Sequence, residues 1–151
     1  MQISQILSPE LTFAAVEGGS KKRVLELIGK LIAQHTQLDA DAIYESLIAR
    51  EKLGSTGFGN GIAIPHCRLE QCTEPVGALL QLESRIDFDS LDGEPVDLIF
   101  VLLVPHEATE QHLLILKTLA ERLDREEVRA ELRQAPDAQT LYRVMVDDSG
   151  A

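Results

Sequence analysis

His66 is the next-to-last residue of the segment REKLGSTGFGNGIAIPHC, residues 50–67, and it is the residue around which chemistry is most readily built. Ahead of it stand Gly54, Ser55, Thr56, Gly57, Gly59, Asn60 and Gly61. Glycine carries no Cβ, so such a run lets backbone N–H groups approach an anion closely. The apolar residues Ile62, Ala63 and Ile64 read as a short buried strand. Pro65 then fixes the backbone and removes a donor immediately before the histidine. A neutral imidazole is a competent nucleophile near pH 7. Beside an anion-accepting loop it suits reversible phosphoryl transfer, and His66 is the expected phosphate acceptor. Arg50 stands on the far side of the loop, where a hairpin-like return would bring its guanidinium fork to a phosphate. His112 falls in the first turn of an expected helix, where free N–H groups and the macrodipole favour an anion. It also falls on a leucine stripe, so a core histidine with a satisfied hydrogen bond is the competing reading.

Other chemistries fit less well. A Walker loop needs Gly-Lys-Ser/Thr where this chain has Gly59-Asn60-Gly61, and the Rossmann pattern needs a strand-to-helix turn where this loop runs into a strand. No nucleotide or other cofactor is therefore expected. His106-Glu107-Ala108-Thr109-Glu110 approaches the zinc-protease motif, but its last position is Glu rather than His. His66, Cys67, Cys72 and His112 offer zinc-ligand types. Strand alternation would send His66 and Cys67 to opposite faces, which counts against a shared metal and against a Cys-His dyad. No metal site is expected. His35, near a helix end, has no evident partner.

These side chains need a scaffold. At 151 residues, with 44% hydrophobic and 26% charged residues, the chain reads as one ordinary globular domain with a sizeable core. The formal net charge of −11 argues against a nucleic-acid surface. The longest apolar segment, Leu98 to Val104, is strand-sized, so no membrane insertion is expected. The start MQISQILSPE lacks a basic region followed by an apolar stretch, and two cysteines five apart form no disulfide framework. The expected location is the cytoplasm. Strands are predicted over 11–16, 62–64, 76–82 and 97–104. The last of these, DLIFVLLV, is apolar on both faces, as in a central strand. Helices are predicted over 21–34, capped by Ser20, and to about 50 from Asp39 or Asp41. Others are predicted over 109–123, with Thr109 as cap, 126–134 and 137–146. Asp92-Gly93 reads as a turn. The fold class is α/β, a mixed sheet with helices on both faces.

The segment from Glu51 to Cys67 resembles the phosphohistidine signature of the type 2 (fructose/mannitol-type) enzyme IIA domains of the bacterial phosphoenolpyruvate-dependent phosphotransferase system. Glu51, Phe58-Gly59, Ile62-Ala63-Ile64 and Pro65-His66 carry the likeness, and Cys67 stands where a small residue, commonly glycine, is usual. The longer string REKLGSTGFGNGIAIPH is similar to the nitrogen-regulatory branch, and SKKRVLELI, PVDLIFVLLVP and HLLILKTLAERL extend the likeness over the whole chain. The resemblance implies a single PTS EIIA type 2 domain over residues 1–151, with a mannitol-IIA-like mixed β-sheet sandwiched between α-helices. It implies that His66 takes phosphate from a histidine-phosphorylated HPr-like carrier, the nitrogen-branch paralogue NPr, with His112 and Arg50 as the second active-site histidine and the active-site arginine. It also implies that phosphorylation state is the output, read by sensor kinases, transporters or metabolic enzymes. One alternative is a sugar-specific IIA component passing phosphate to a IIB domain, weakened by the lack of a fused IIB, IIC or HPr segment. A remoter one is a metal-dependent hydrolase using His66, His112 and a cysteine.

Overall fold

The apolar run 97–104 lies at the centre of one mixed six-stranded sheet. In a computed structural model that describes residues 1–107 and 109–147, the elements in chain order are β1 (Leu7–Val16), α1 (Lys21–His35), α2 (Ala40–Glu51), β2 (Gly57–Gly59), β3 (Ile62–Ala63), β4 (His66–Leu69), β5 (Val76–Ile86), β6 (Val96–Pro105), α3 (Thr109–Leu123), α4 (Glu126–Gln134) and α5 (Ala138–Val146). A short 3-10 turn, Ile3–Gln5, precedes β1. The strand order is β1-β5-β6-β3-β2, with β4 also pairing β6. β5 runs antiparallel to β6, β1 runs parallel to β5, and β3 and β4 follow one another in parallel along the other edge of β6.

Alternation along β6 explains why its sequence has no polar face. Leu98, Phe100, Leu102 and Val104 join one core with Ile115, Leu119 and Leu123 of α3, Val128 and Leu132 of α4, and Leu141 and Met145 of α5. Ile99, Val101 and Leu103 join the other with Val24, Leu25, Ile28 and Ile32 of α1 and Ile43 and Leu47 of α2. Each fully buried Leu or Ile contributes about 1.5–3 kcal/mol by leaving water, so the two helical layers hold the sheet from both sides.

The helix starts are as the sequence reads. Ser20 Oγ accepts from Arg23 N–H at 3.2 Å, Asp39 from Ala42 N–H at 2.9 Å, and Asp137 from Thr140 N–H at 2.8 Å. α3 begins at Thr109 itself, and the capping role expected of that side chain lies outside the described residues. Among the described residues no helix is long and apolar enough to cross a membrane.

Three strand features depart from the expectation. β1 starts at Leu7 rather than 11, because Pro9 is tolerated on a strand that pairs on one side only. β5 runs on to Ile86 through the exposed Glu83, Ser84 and Arg85, since the Ile86–Val96 pairing holds a tail without an apolar pattern. β2 and β4 are additional, and His66 opens β4 instead of ending the strand before it. Pro65 makes the break. It has no N–H for the ladder, yet its carbonyl accepts from Leu102 N–H at 2.9 Å, so the chain rejoins β6 one residue later.

Candidate functional site

His66 and Cys67 leave the sheet on opposite faces. Cys67 and Leu69 enter the core beneath α1 and α2, while His66 is half-buried and faces α3. Burial pushes the Cys67 thiol up to about 12, with Cys72 adding to the effect, so this sulfur stays protonated and is no nucleophile at neutral pH. A metal or a Cys-His pair built on His66 and Cys67 together would need both on one face.

His66 Nδ1 lies 2.7 Å from the Ile64 carbonyl oxygen. A carbonyl only accepts, so Nδ1 carries the proton and Nε2 keeps its lone pair. Burial lowers the His66 pKa below the ordinary 6.5 and the nearby Arg50 charge adds to this, while the Ile64 bond and Glu51 pull the other way. The ring is therefore neutral at pH 7, with its nucleophilic nitrogen already selected.

His112 meets this ring from the first turn of α3. The two ring centroids are 5.4 Å apart in an edge-on arrangement at 73°. His112 is only 9% exposed, and its Nε2 is buried with no hydrogen-bond partner among the described residues. The core-histidine reading expects a satisfied hydrogen bond, and Nε2 finds none among the described residues. An unpaired buried polar atom costs about 1–3 kcal/mol. The His112 pKa is lowered by burial first, then by the His66 and Arg68 charges.

Arg50, at the end of α2, shares a cleft of about 320 Å³ with His66. The cleft is lined also by Ser55, Thr56 and Gly57, and by Phe58, Ile64, Leu91, Leu116 and Ala120. Arg50 Nη1 donates to the Gly54 carbonyl at 2.9 Å, which holds the guanidinium against the loop.

The glycine segment divides into two parts. Asn60 and Gly61, both at positive φ (57° and 80°), form the tight turn between β2 and β3, where only such residues sit without strain. Asn60 N–H donates to Asp92, its carbonyl accepts from Arg133, and Gly59 lies against Asp92. Gly59, Asn60 and Gly61 do not line the His66 cleft; Asn60 and Gly61 border a separate cavity of about 610 Å³ with Arg85, Arg129 and Arg133. The phosphate-loop expectation contracts to residues 54–57, and there too it changes character. Gly54 N–H donates to the Glu51 carbonyl, Thr56 N–H to the Glu51 side chain, and Gly57 N–H to Ser55 Oγ. The Ser55 hydroxyl donates to Phe88 O at 2.7 Å. The N–H groups of Gly54, Thr56 and Gly57 are thus committed within the strap, whose Ser55, Thr56 and Gly57 line the cleft. Arg50 is the charged side chain among the described residues that line this cleft.

A methyl group on Gly57 would come 2.8 Å from Ser90 Cα, a separation that side chains do not tolerate. Gly57→Ala is expected to push the strap and the 88–93 loop apart, costing about 1–3 kcal/mol of stability as an overpacked site. A urea titration checks this; an unchanged midpoint would show that the loop yields freely.

Sequence reasoning passed over several cleft residues. Leu91 precedes the Asp92-Gly93 turn and is 94% exposed, and Ala120 follows one turn after Leu116. Position on the α3 stripe was the available signal for Leu116 and Ala120. His35, for which no partner was evident, stacks at a tilt on Phe13 with centroids 6.2 Å apart.

A mixed sheet between helical layers carries His66 and Arg50 at one cleft, with the His112 ring against His66, an arrangement suited to a phosphoryl-handling class of domain. Residues 5–147 match the family described as phosphoenolpyruvate-dependent sugar phosphotransferase system, EIIA 2, and the chain belongs to that family. It is 57% identical over 148 residues to a nitrogen regulatory protein of Pseudomonas aeruginosa, covering 97% of this chain and 96% of that one. The crystal structure of nitrogen regulatory protein IIA-Ntr from Neisseria meningitidis superposes with a TM-score of 0.90 at 39% identity, covering 95% of this chain and 98% of that one. The PTS system fructose-specific EIIA component of Haloferax volcanii is 34% identical over 146 residues, covering 96% of this chain and 95% of that one.

Proposed function

We propose that this chain is a histidine phosphocarrier of the nitrogen-regulatory type, acting in the cytoplasm as a single EIIA type 2 domain. His66 Nε2 attacks the phosphorus of a phosphohistidine on an HPr-like carrier, NPr. The new Nε2–P bond forms as the carrier's N–P bond breaks, and the carrier's ring nitrogen departs with the electron pair. The observation that carries this reading is the Nδ1–H bond to Ile64, which leaves Nε2 as the nitrogen with the free lone pair. The same bond stabilises the positive character of the ring once it is phosphorylated. Arg50 neutralises phosphate charge through its fork, and His112 Nε2 offers a hydrogen bond to a phosphate oxygen. Little else is needed, because phosphoryl transfer is largely positioning and charge stabilisation.

Phe58 and Leu91 line the cleft, and Leu53, Leu113 and Leu114 are exposed close in sequence to Arg50 and His112. Leu53 is 85% exposed, Phe58 44% and Leu91 94%, while Leu113 and Leu114 on α3 are 65% and 51% exposed. Large apolar groups held in water mark a docking surface. Phosphorylation adds about two negative charges at His66, beside Phe58 and Leu91, which makes apolar burial there costly. The phosphorylation state thus selects partners among sensor kinases, transporters or metabolic enzymes. The nitrogen-regulatory assignment follows the 57% identical relative.

Incubation with the general phosphotransferase components and phosphoenolpyruvate tests the carrier step, with acid-labile phosphate expected on one histidine. Capture experiments with bare and phosphorylated protein test the switch, and the two sets of bound proteins are expected to differ. Identical sets would defeat the switch. Rapid, dominant transfer to a sugar-specific IIB protein would replace the regulatory reading with the fructose-type one to which the 34% identical relative points.

A further inference from the structure

An unbroken path of hydrogen bonds joins a buried carboxylate to the His66 imidazole. Glu51 ends α2, and its side chain is only 4% exposed. Lys21 Nζ, from the first turn of α1, lies 2.9 Å from Oε1. Thr56 N–H donates to the same oxygen at 3.1 Å, and the Thr56 hydroxyl donates to Oε2. The Thr56 carbonyl accepts from Ile64 N–H at 3.1 Å. The Ile64 carbonyl accepts from His66 Nδ1–H at 2.7 Å. Lys21 is itself fixed, 4.8 Å above the Phe88 ring and 3.5 Å from Asp89.

Stability alone does not account for this arrangement. A buried ion pair repays its lost hydration only with difficulty, and apolar residues of similar volume commonly serve a core as well or better. The nearby core, with Leu47, Val24 and Phe88, is already apolar. A carboxylate can do one thing that leucine cannot: it takes two hydrogen bonds from the same residue. That fixes both the main chain and the side chain of Thr56, and with them the strap.

We infer that Glu51 is a positioning residue for His66. By pinning Thr56 it sets the place of the Ile64 carbonyl, and through that carbonyl the orientation and the Nδ1–H tautomer of the imidazole. Lys21 offsets part of the carboxylate's charge, which weakens its repulsion of a phosphoryl group on Nε2. The Glu51 charge does reach the ring, where it favours the protonated form. The consequence for transfer rests on the phosphocarrier reading; the effect on the tautomer does not.

The test compares the wild-type chain with Glu51→Leu, Glu51→Gln, Lys21→Met and the Glu51→Leu/Lys21→Met double variant. Nitrogen-15 NMR reads the His66 tautomer in the unphosphorylated protein, and rapid-quench measurement reads phosphate uptake from the phosphorylated carrier. The double variant leaves no unpaired buried charge, so it decides the matter if Glu51→Leu does not fold. Without the carboxylate, His66 is expected to populate both tautomers, and uptake to slow by about tenfold to a hundredfold, as for a reacting group misplaced by about an ångström. Glu51→Gln keeps an acceptor oxygen for Thr56 and is expected to restore the single tautomer and most of the rate. Lys21→Met is expected to keep the tautomer while moving the phosphate equilibrium about tenfold toward the carrier. A folded leucine variant with a single tautomer and wild-type uptake overturns the inference and leaves the phosphocarrier reading standing. A wild-type chain that takes no phosphate while the variants still shift the tautomer overturns that reading and leaves the positioning role standing.

Discussion

His66→Gln is expected to remain folded and to accept no phosphate at all. The transferred group must become covalently attached to a ring nitrogen, and a glutamine amide has no nucleophilic lone pair to offer. Its N–H can still donate to the Ile64 carbonyl, so the local hydrogen bond that His66 makes at 2.7 Å has a substitute. The side chain is only half-buried, which keeps the structural cost to about 1 kcal/mol. Intact-mass measurement after incubation with phosphorylated carrier checks this, one phosphate being expected on the wild type and none on the variant. A variant that gains phosphate at the wild-type rate would move the acceptor elsewhere, with His112 the first residue to examine.

His112→Leu is expected to separate stability from function. The buried Nε2 has no partner among the described residues, and the side chain, on α3 and against His66 of β4, is 9% exposed. Leucine removes that unsatisfied nitrogen, so the folded state is expected to hold or gain about 1 kcal/mol against urea. Phosphate uptake by His66 is expected to slow by roughly ten- to a hundredfold, because a charge-assisted contact of about 1.5–3 kcal/mol is lost in the transferring state. A core histidine with no other role would show the reverse, a destabilised variant with normal transfer. Both histidines also set an acid limit. Their folded pKa values lie below 6.5, so below that pH the unfolded chain binds more protons than the folded one. Their contribution is complete above pH 6.5 and is lost progressively as pH falls from there through the folded values. In His112→Leu this acid sensitivity should diminish.

The local code of this chain was readable because it depends on near neighbours. Ser20, Asp39 and Asp137 cap their helices, since a side-chain oxygen needs only the N–H groups a few residues ahead. DLIFVLLV announced a strand covered on both faces, and the sheet has it at its centre. His66 stood out because Pro65 and the glycines adjoin it in sequence. β1 and β5 came out longer than read because edge position and pairing, rather than residue pattern, extend them.

By itself, then, the sequence determined the helical and central-strand pattern, the family likeness, and the histidine around which chemistry would form. Tertiary structure decided what surrounds that histidine. Glu51 stood out in the sequence only through the family likeness, and its partners appear only when the fold buries it and brings Lys21 to it. The donors at Gly54, Thr56 and Gly57 look open to an anion until the folded strap commits each of them. His112 carries two readings until β4 and α3 set the rings 5.4 Å apart and leave one nitrogen unpaired. Caps and periodicities are satisfied within a turn or two of chain. A buried charge or an orphaned donor is defined only by groups that arrive from elsewhere in the fold, and no local pattern specifies those.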